Sequence, residues 1–348
     1  MKKILMSSYM GMGNFIQSVP SIFYLKTQFP DVQVDFIGGS SDSSDEYLKL
    51  MGKLGNIYIL KSNSSMLSKM RFYLNLRKNK YDLVIVPVTH EETTLRIFYF
   101  LIGAKKIILG ALYKKKKETI LRKLSKLFAL LLPNVKTIPH LPGYREMDFH
   151  YDYIQSIMEV PVIRKYEFFE LSLNSIPKYL PTDKFVVLST SARYGEKTPK
   201  LISFDVVNKL IGSLTCQKLK IVVVGTFDGQ SIQNQESVLD LRGKTSISDL
   251  CLILKHSEFC VFPDTGPMHL ANSLGVKVLG VYGPTDFYRT APIGRNTEFI
   301  FSDLTTDFIM FNYAFSEDDI VEQFGVDYCM KGITDAKIIE KLKALNWL

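Results

Sequence analysis

A chain of 348 residues with 46% hydrophobic and 12% aromatic side chains holds apolar material for two cores, which excludes a disordered protein or one small domain. Its net charge of +8 implies an anionic partner. No stretch reaches the roughly 18 apolar residues of a membrane span, and Met1 to Ser7 is too brief for a signal-peptide core, so a cytoplasmic protein is expected.

In chain order, "KKILMS" (Lys2 to Ser7) predicts a strand leading into a helix from about Asn14, and "VQVDFIGG" (Val32 to Gly39) a strand leading into one from about Asp45. "NIYIL" (Asn56 to Leu60) precedes an amphipathic run, Leu67 to Leu76, and "DLVIVPV" (Asp82 to Val88) and "KKIILG" (Lys105 to Gly110) complete the series. Short β-rich runs alternating with helical ones predict βαβ units and a parallel sheet. A helix near Tyr144 to Met158 is followed by a Pro-interrupted connector, which puts the boundary between Val160 and Asp183. The pattern then restarts. "KFVVLS" (Lys184 to Ser189), a helix from Phe204, "KIVVVG" (Lys220 to Gly225), a helix from Ser246 to Lys255 that Ser246 or Ser248 can cap, and "EFCVFP" (Glu258 to Pro263) form a second doubly wound set. Two Rossmann-like domains are expected, residues 1–165 and 166–348, with parallel sheets facing a central cleft and ligands at the carboxyl ends of strands. The last helix, Asp335 to Leu345, is a candidate to pack back on the first domain.

Cys216, Cys251, Cys260 and Cys329 show neither a C-x-x-C pair nor a histidine at ligand spacing, so no metal site is expected and reduced thiols fit a reducing compartment. "GMGNFI" matches the first two glycines of a dinucleotide fingerprint, but Ile16 occupies the third position and nothing else supports a nicotinamide site.

The basic run Lys114, Lys115, Lys116 and Lys117 continues through Arg122, Lys123 and Lys126. It lacks aromatic residues at base-stacking spacing, so no nucleic acid is expected. A solvated helix face, a phosphorylated substrate and an anionic membrane surface all fit.

The densest chemistry lies in "FPDTGPMHLANSLGVKVLGVYGPTD", Phe262 to Asp286. A buried strand ends at Pro263, and Pro267 sits early in the next helix, where its missing N–H costs nothing. Asp-Thr-Gly therefore stands at a helix N-terminus, whose free N–H groups and dipole attract anions. Thr265 and Gly266 can hold a diphosphate, Asp264 can bind hydroxyls or cap the helix, and His269 lies one turn in. Alternatively Asp264 is only an N-cap and His269 a satisfied core residue. "GPTD" after the following strand adds a second Gly-Pro turn at the same sheet edge.

This stretch resembles the signature of the heptosyltransferase family, glycosyltransferase family 9, which transfers heptose from ADP-heptose to the inner core of lipopolysaccharide. The resemblance extends to the opening "MKKILMSSYMGMGNFIQSVPSIFYLKTQFPDVQVDFI", to "SISDLCLILKHSEFCVF" and to the closing "CMKGITDAKIIEKL". It implies an enzyme of GT-B fold that binds the donor mainly in its second domain and an anionic glycolipid acceptor in its first, with inverting transfer and no metal or other cofactor. It assigns donor contacts to Asp264, Thr265, Gly266 and His269, to Lys197 in "STSARYGEKTPK", and to Thr190 and Ser191. Acceptor-side residues are then Gly13 and the Lys114 to Lys117 run, which also suits the inner face of the cytoplasmic membrane.

One position departs from the family. Where it commonly carries Asp as general base, this chain has Asn14, which cannot accept a proton. Asn14 can position the acceptor, and "PVTHEETT", after the Val84 to Val88 strand, offers His90, Glu91 and Glu92 as replacement bases, while each also fits a solvated loop or a helix start. A transferase using another nucleotide sugar and a silent nucleotide-sugar-binding homologue both stay open.

Overall fold

The computed structural model describes residues 2–7, 11–39, 44–52, 54–61, 63–87, 97–112, 127, 131–140, 144–158, 161–173, 175–189, 198–226, 232, 236–303 and 322–348. The chain divides into two units, Met1–Ser172 and Leu173–Leu348; the sequence had suggested a division after residue 165. Among the described residues, no helix is long and apolar enough to cross a membrane.

In the first unit, β1 (Lys3–Ser7), β2 (Gln33–Gly39), β3 (Ile57–Leu60), β4 (Leu83–Val86), β5 (Lys106–Leu112) and β6 (Val135–His140) form one sheet in the order β3-β2-β1-β4-β5-β6. Every pairing is parallel. In a parallel sheet both faces are covered, so β1 and β4 read as unbroken apolar runs, with Ile4, Leu5 and Val84 fully buried. The Met12–Gln28 helix packs beside Glu146–Gln155, where the Tyr151 hydroxyl donates to the Pro20 carbonyl at 3.2 Å.

The second unit repeats the plan. β7 (Phe185–Ser189), β8 (Lys220–Val224), β9 (Val238–Asp240), β10 (Cys260–Pro263), β11 (Val278–Tyr282) and β12 (Thr297–Phe301) run in the order β12-β11-β10-β7-β8-β9, again all parallel. Counted within each unit this is one strand order, 3-2-1-4-5-6, and the chain reverses its direction of travel between β1 and β4 and between β7 and β10. Ser246, one of the two proposed caps, closes the Ile247–His256 helix in a capping box with Asp249, a device worth about 1 kcal/mol. The final helix, Asp335–Ala344, inserts Ile338 and Leu342 into the second unit's own core beside Leu210, Ile211 and Leu214. That burial accounts for its apolar face, which sequence reading had offered to the first domain.

The architecture is the two-unit, doubly wound α/β arrangement expected of a GT-B protein.

Candidate functional site

In an open parallel sheet, loops leaving adjacent strands on opposite sides of the reversal diverge and leave a crevice at the carboxyl edge. In the second unit those loops follow β7 and β10. The loop after β7 brings in Lys200, and the turn after β10 brings in Asp264. They meet as an ion pair, Lys200 Nζ to Asp264 Oδ2 at 3.3 Å. His269, one turn into the Gly266–Ser273 helix, directs Nε2 to Asp264 Oδ1 at 3.5 Å. From the turn after β11, the Thr290 hydroxyl donates to Asp264 Oδ2 at 3.5 Å.

Asp264 is only 6% exposed and His269 4%. Burial pushes the Asp264 carboxyl up, but Lys200 and His269 outweigh it and hold the group well below the usual carboxylate range. Tyr282, at the end of β11, is shifted the other way: its burial first, and the Asp264 charge second, keep the phenol protonated far above its ordinary range. The site thus pairs a permanent carboxylate with a lysine and sets a neutral phenol beside them.

Asp264 does not cap the helix. The N-cap is Thr265, and no side chain caps this terminus; its hydroxyl instead donates to the Pro263 carbonyl at 3.1 Å. Pro267 stands in the first turn, as expected. The His269 Nδ1 atom and the Thr285 hydroxyl are buried without a hydrogen-bond partner among the described residues. Buried polar atoms of this kind are costly unless a ligand or water satisfies them. The structure therefore offers a helix N-terminus, a lysine and two unsatisfied polar groups at one sheet edge, a donor set that fits a diphosphate bearing a hydroxylated group.

Lys200 is placed by a tight contact that sequence reading did not anticipate. A Cβ built on Gly283 would lie 2.5 Å from Met330 Sδ, 2.9 Å from the Cys329 carbonyl and 3.3 Å from the Pro199 carbonyl. Only glycine lets the turn after β11 touch both the Pro199–Lys200 segment and the closing Cys-Met pair. Asp286 caps the short Phe287–Thr290 helix by accepting from the Arg289 N–H at 3.2 Å, which fixes Thr290 toward Asp264. The sequence places the "GPTD" turn at this sheet edge but not the Thr290 that follows it. Lys200 stands three residues from the nominated Lys197. Thr190, Ser191 and Lys197 themselves lie outside the described residues.

In the first unit the corresponding reversal of strand order lies between β1 and β4. Gly11 is the N-cap of the Met12–Gln28 helix, so Gly13 and Asn14 fall in its first turn, which carries no acidic residue. Gly13 is therefore helical, and residues 8–10, between β1 and Gly11, lie outside the described residues. β4 ends at Val86 beside β1, and the chain leaves the sheet at Pro87. His90, Glu91 and Glu92 lie outside the described residues, as do Lys114 to Lys117.

This two-unit architecture is that of the GT-B fold. Residues 182–309 match the model of glycosyltransferase family 9 (heptosyltransferase). Lipooligosaccharide heptosyltransferase 2 of Campylobacter jejuni subsp. jejuni serotype O:6 is 28% identical over 110 residues, 31% of this chain. The match takes in about a third, 32%, of that curated relative's length. Among solved structures, ADP-heptose lipopolysaccharide heptosyltransferase II of E. coli superposes with a TM-score of 0.71 at 14% identity, covering 99% of this chain and 98% of the other. The glycosyl transferase family 9 structure from Veillonella parvula gives 0.75 at 14% identity, covering 99% and 97%. At that identity the likeness shows the fold. The expected resemblance to the heptosyltransferase family is confirmed, and it is strongest where the Asp264 site lies.

Proposed function

We propose that this chain is an inverting, metal-independent glycosyltransferase that moves heptose from ADP-heptose onto a lipopolysaccharide-core acceptor at the cytoplasmic face of the inner membrane. The observation that carries the reading is the Lys200–Asp264–His269 group at the start of the Gly266–Ser273 helix. As the acceptor oxygen bonds to the anomeric carbon, the opposite bond to the diphosphate breaks and its electron pair leaves with the phosphate. That developing charge must meet preorganised cations and N–H dipoles. Lys200, Lys197 and the Thr265–Gly266 turn supply them, while Asp264 fixes Lys200 and His269 in place and Thr190 and Ser191 add hydroxyls. On the acceptor side the reading uses Gly13, Asn14 and the Lys114 to Lys117 run, with Glu91, ahead of Glu92 and His90, as the base.

Removing one charge-assisted contact costs on the order of 1.5 to 3 kcal/mol, so Lys197→Ala and His269→Ala should each weaken ADP binding about 10- to 150-fold by calorimetry. Unchanged affinity in both folded variants rejects the clamp. Calorimetry against a panel of nucleotide sugars decides between ADP-heptose and another donor.

The carriers of charge in this reading are side chains and backbone, and the sequence has no D-x-D cluster near the donor turns. EDTA should then leave transfer intact; strict dependence on added magnesium or manganese would overturn the mechanism.

A second reading, a silent binder of nucleotide sugars, is favoured by one observation, the absence of any acidic residue in the first turn of the Met12–Gln28 helix. Donor binding without transfer or donor hydrolysis in any assay would select it.

A further inference from the structure

We infer that the Met66–Leu76 helix of the first unit is a contact surface for an anionic lipid bilayer. Its N-cap is Ser65, and its buried side is defined by Tyr73 and Leu76. A second apolar stripe, at i, i+1, i+4 and i+8, points to water: Met66 is 54% exposed, Leu67 51%, Met70 36% and Leu74 39%. A surface helix that buries one apolar face needs no second one to fold. The charge along this stretch of chain is of one sign. From Lys53 to Lys80 the chain has seven Lys and Arg and no Asp or Glu, and Lys61, Arg71, Lys78 and Lys80 are exposed.

An exposed apolar stripe on a helix whose own charged residues and flanking sequence are all basic is the composition of a helix that lies in a lipid interface, its apolar side chains among acyl chains and its cations against anionic headgroups. The same charge disfavours a second copy of this chain as the occupant, because a two-fold contact would set this positive face against itself. Four side chains on one helix also cover less area than a stable dimer needs. The surface deepens the proposed transfer, and in that respect rests on it, by giving the bilayer that holds a glycolipid acceptor a place to touch the acceptor-side unit.

The test is co-sedimentation of the full chain with vesicles of phosphatidylglycerol and phosphatidylethanolamine, beside vesicles of phosphatidylcholine. The wild type should partition onto the anionic vesicles and far less onto the neutral ones. Leu67→Ser with Leu74→Ser, and separately Arg71→Gln with Lys78→Gln, should each lower that partition at least about tenfold, and the deficit of the charge pair should shrink as salt rises. Both variants should keep wild-type melting and wild-type ADP affinity, since these side chains are exposed and far in sequence from the donor turns. Equal partition of the leucine variant and the wild type overturns the inference, as does a wild-type dimer that the leucine variant makes monomeric without any vesicle binding. Failure of ADP binding and of transfer to a lipid-free acceptor, with vesicle binding retained, would reject the transferase reading and leave this one standing.

Discussion

Asp264→Asn should lower the stability of the second unit by on the order of 3 kcal/mol, seen as a fall of about 6 to 12 °C in its melting temperature. Removing one partner of a buried ion pair costs about 3 to 5 kcal/mol, because the other is left uncompensated. The low end applies, since Lys200 keeps 19% of its side chain exposed and can turn toward water. The pH dependence has a definite sign. The folded-state pKa of Asp264 is depressed, so its contribution is present above the unfolded carboxylate value of about 3.9 and is lost as pH falls toward the folded one. The melting difference between wild type and Asp264→Asn should therefore be constant near neutrality and shrink below about pH 4. A difference that stays constant through that range, or no difference at pH 7, would show that Asp264 is not held by Lys200 and His269.

Glu91→Gln should depress turnover about 100- to 10,000-fold with little change in donor affinity, the usual cost of losing a general base. Asn14→Asp should retain or raise turnover. Asn14 is the third residue of its helix, counted from the Gly11 N-cap, where the dipole favours a carboxylate over an amide. A carboxylate there supplies the acceptor-side base that the amide cannot. If Glu91→Gln, Glu92→Gln and His90→Ala all keep wild-type turnover, the base lies elsewhere. If the wild type transfers from no donor and Asn14→Asp gains transfer, the silent binder is the better reading.

The central strands of both sheets were legible because burial on two faces writes itself as an apolar run: "ILMS", "LVIV", "FVVLS", "IVVV" and "CVFP" all coincide with observed strands. Three strands went unread, and all three are sheet edges. β6 includes Pro139 and β9 is three residues long, while β12 is buried only at Thr297 and Ile300. An edge strand is covered on fewer sides, so its composition is weaker evidence. The Asp264 turn was legible from Pro263, Gly266 and Pro267, which fix where a strand stops and a helix starts. Its partners were not. Lys200 and Thr290 reach Asp264 from 64 and 26 positions away in the chain, and only the strand order brings their loops to one edge.

The contact at Gly283 bears on how the molecule is made. Cys329 and Met330 close over the glycine, and Ile338 and Leu342 complete the core beneath Leu210 and Leu214. A ribosome-bound chain that has emerged only as far as residue 300 already carries Lys200, Asp264, His269 and Thr290, yet lacks the wedge and the core that hold their loops together. Vectorial synthesis thus delays maturation of the second unit until the last helix has cleared the exit tunnel, while the first unit, whose six strands end by His140, is free to fold during translation.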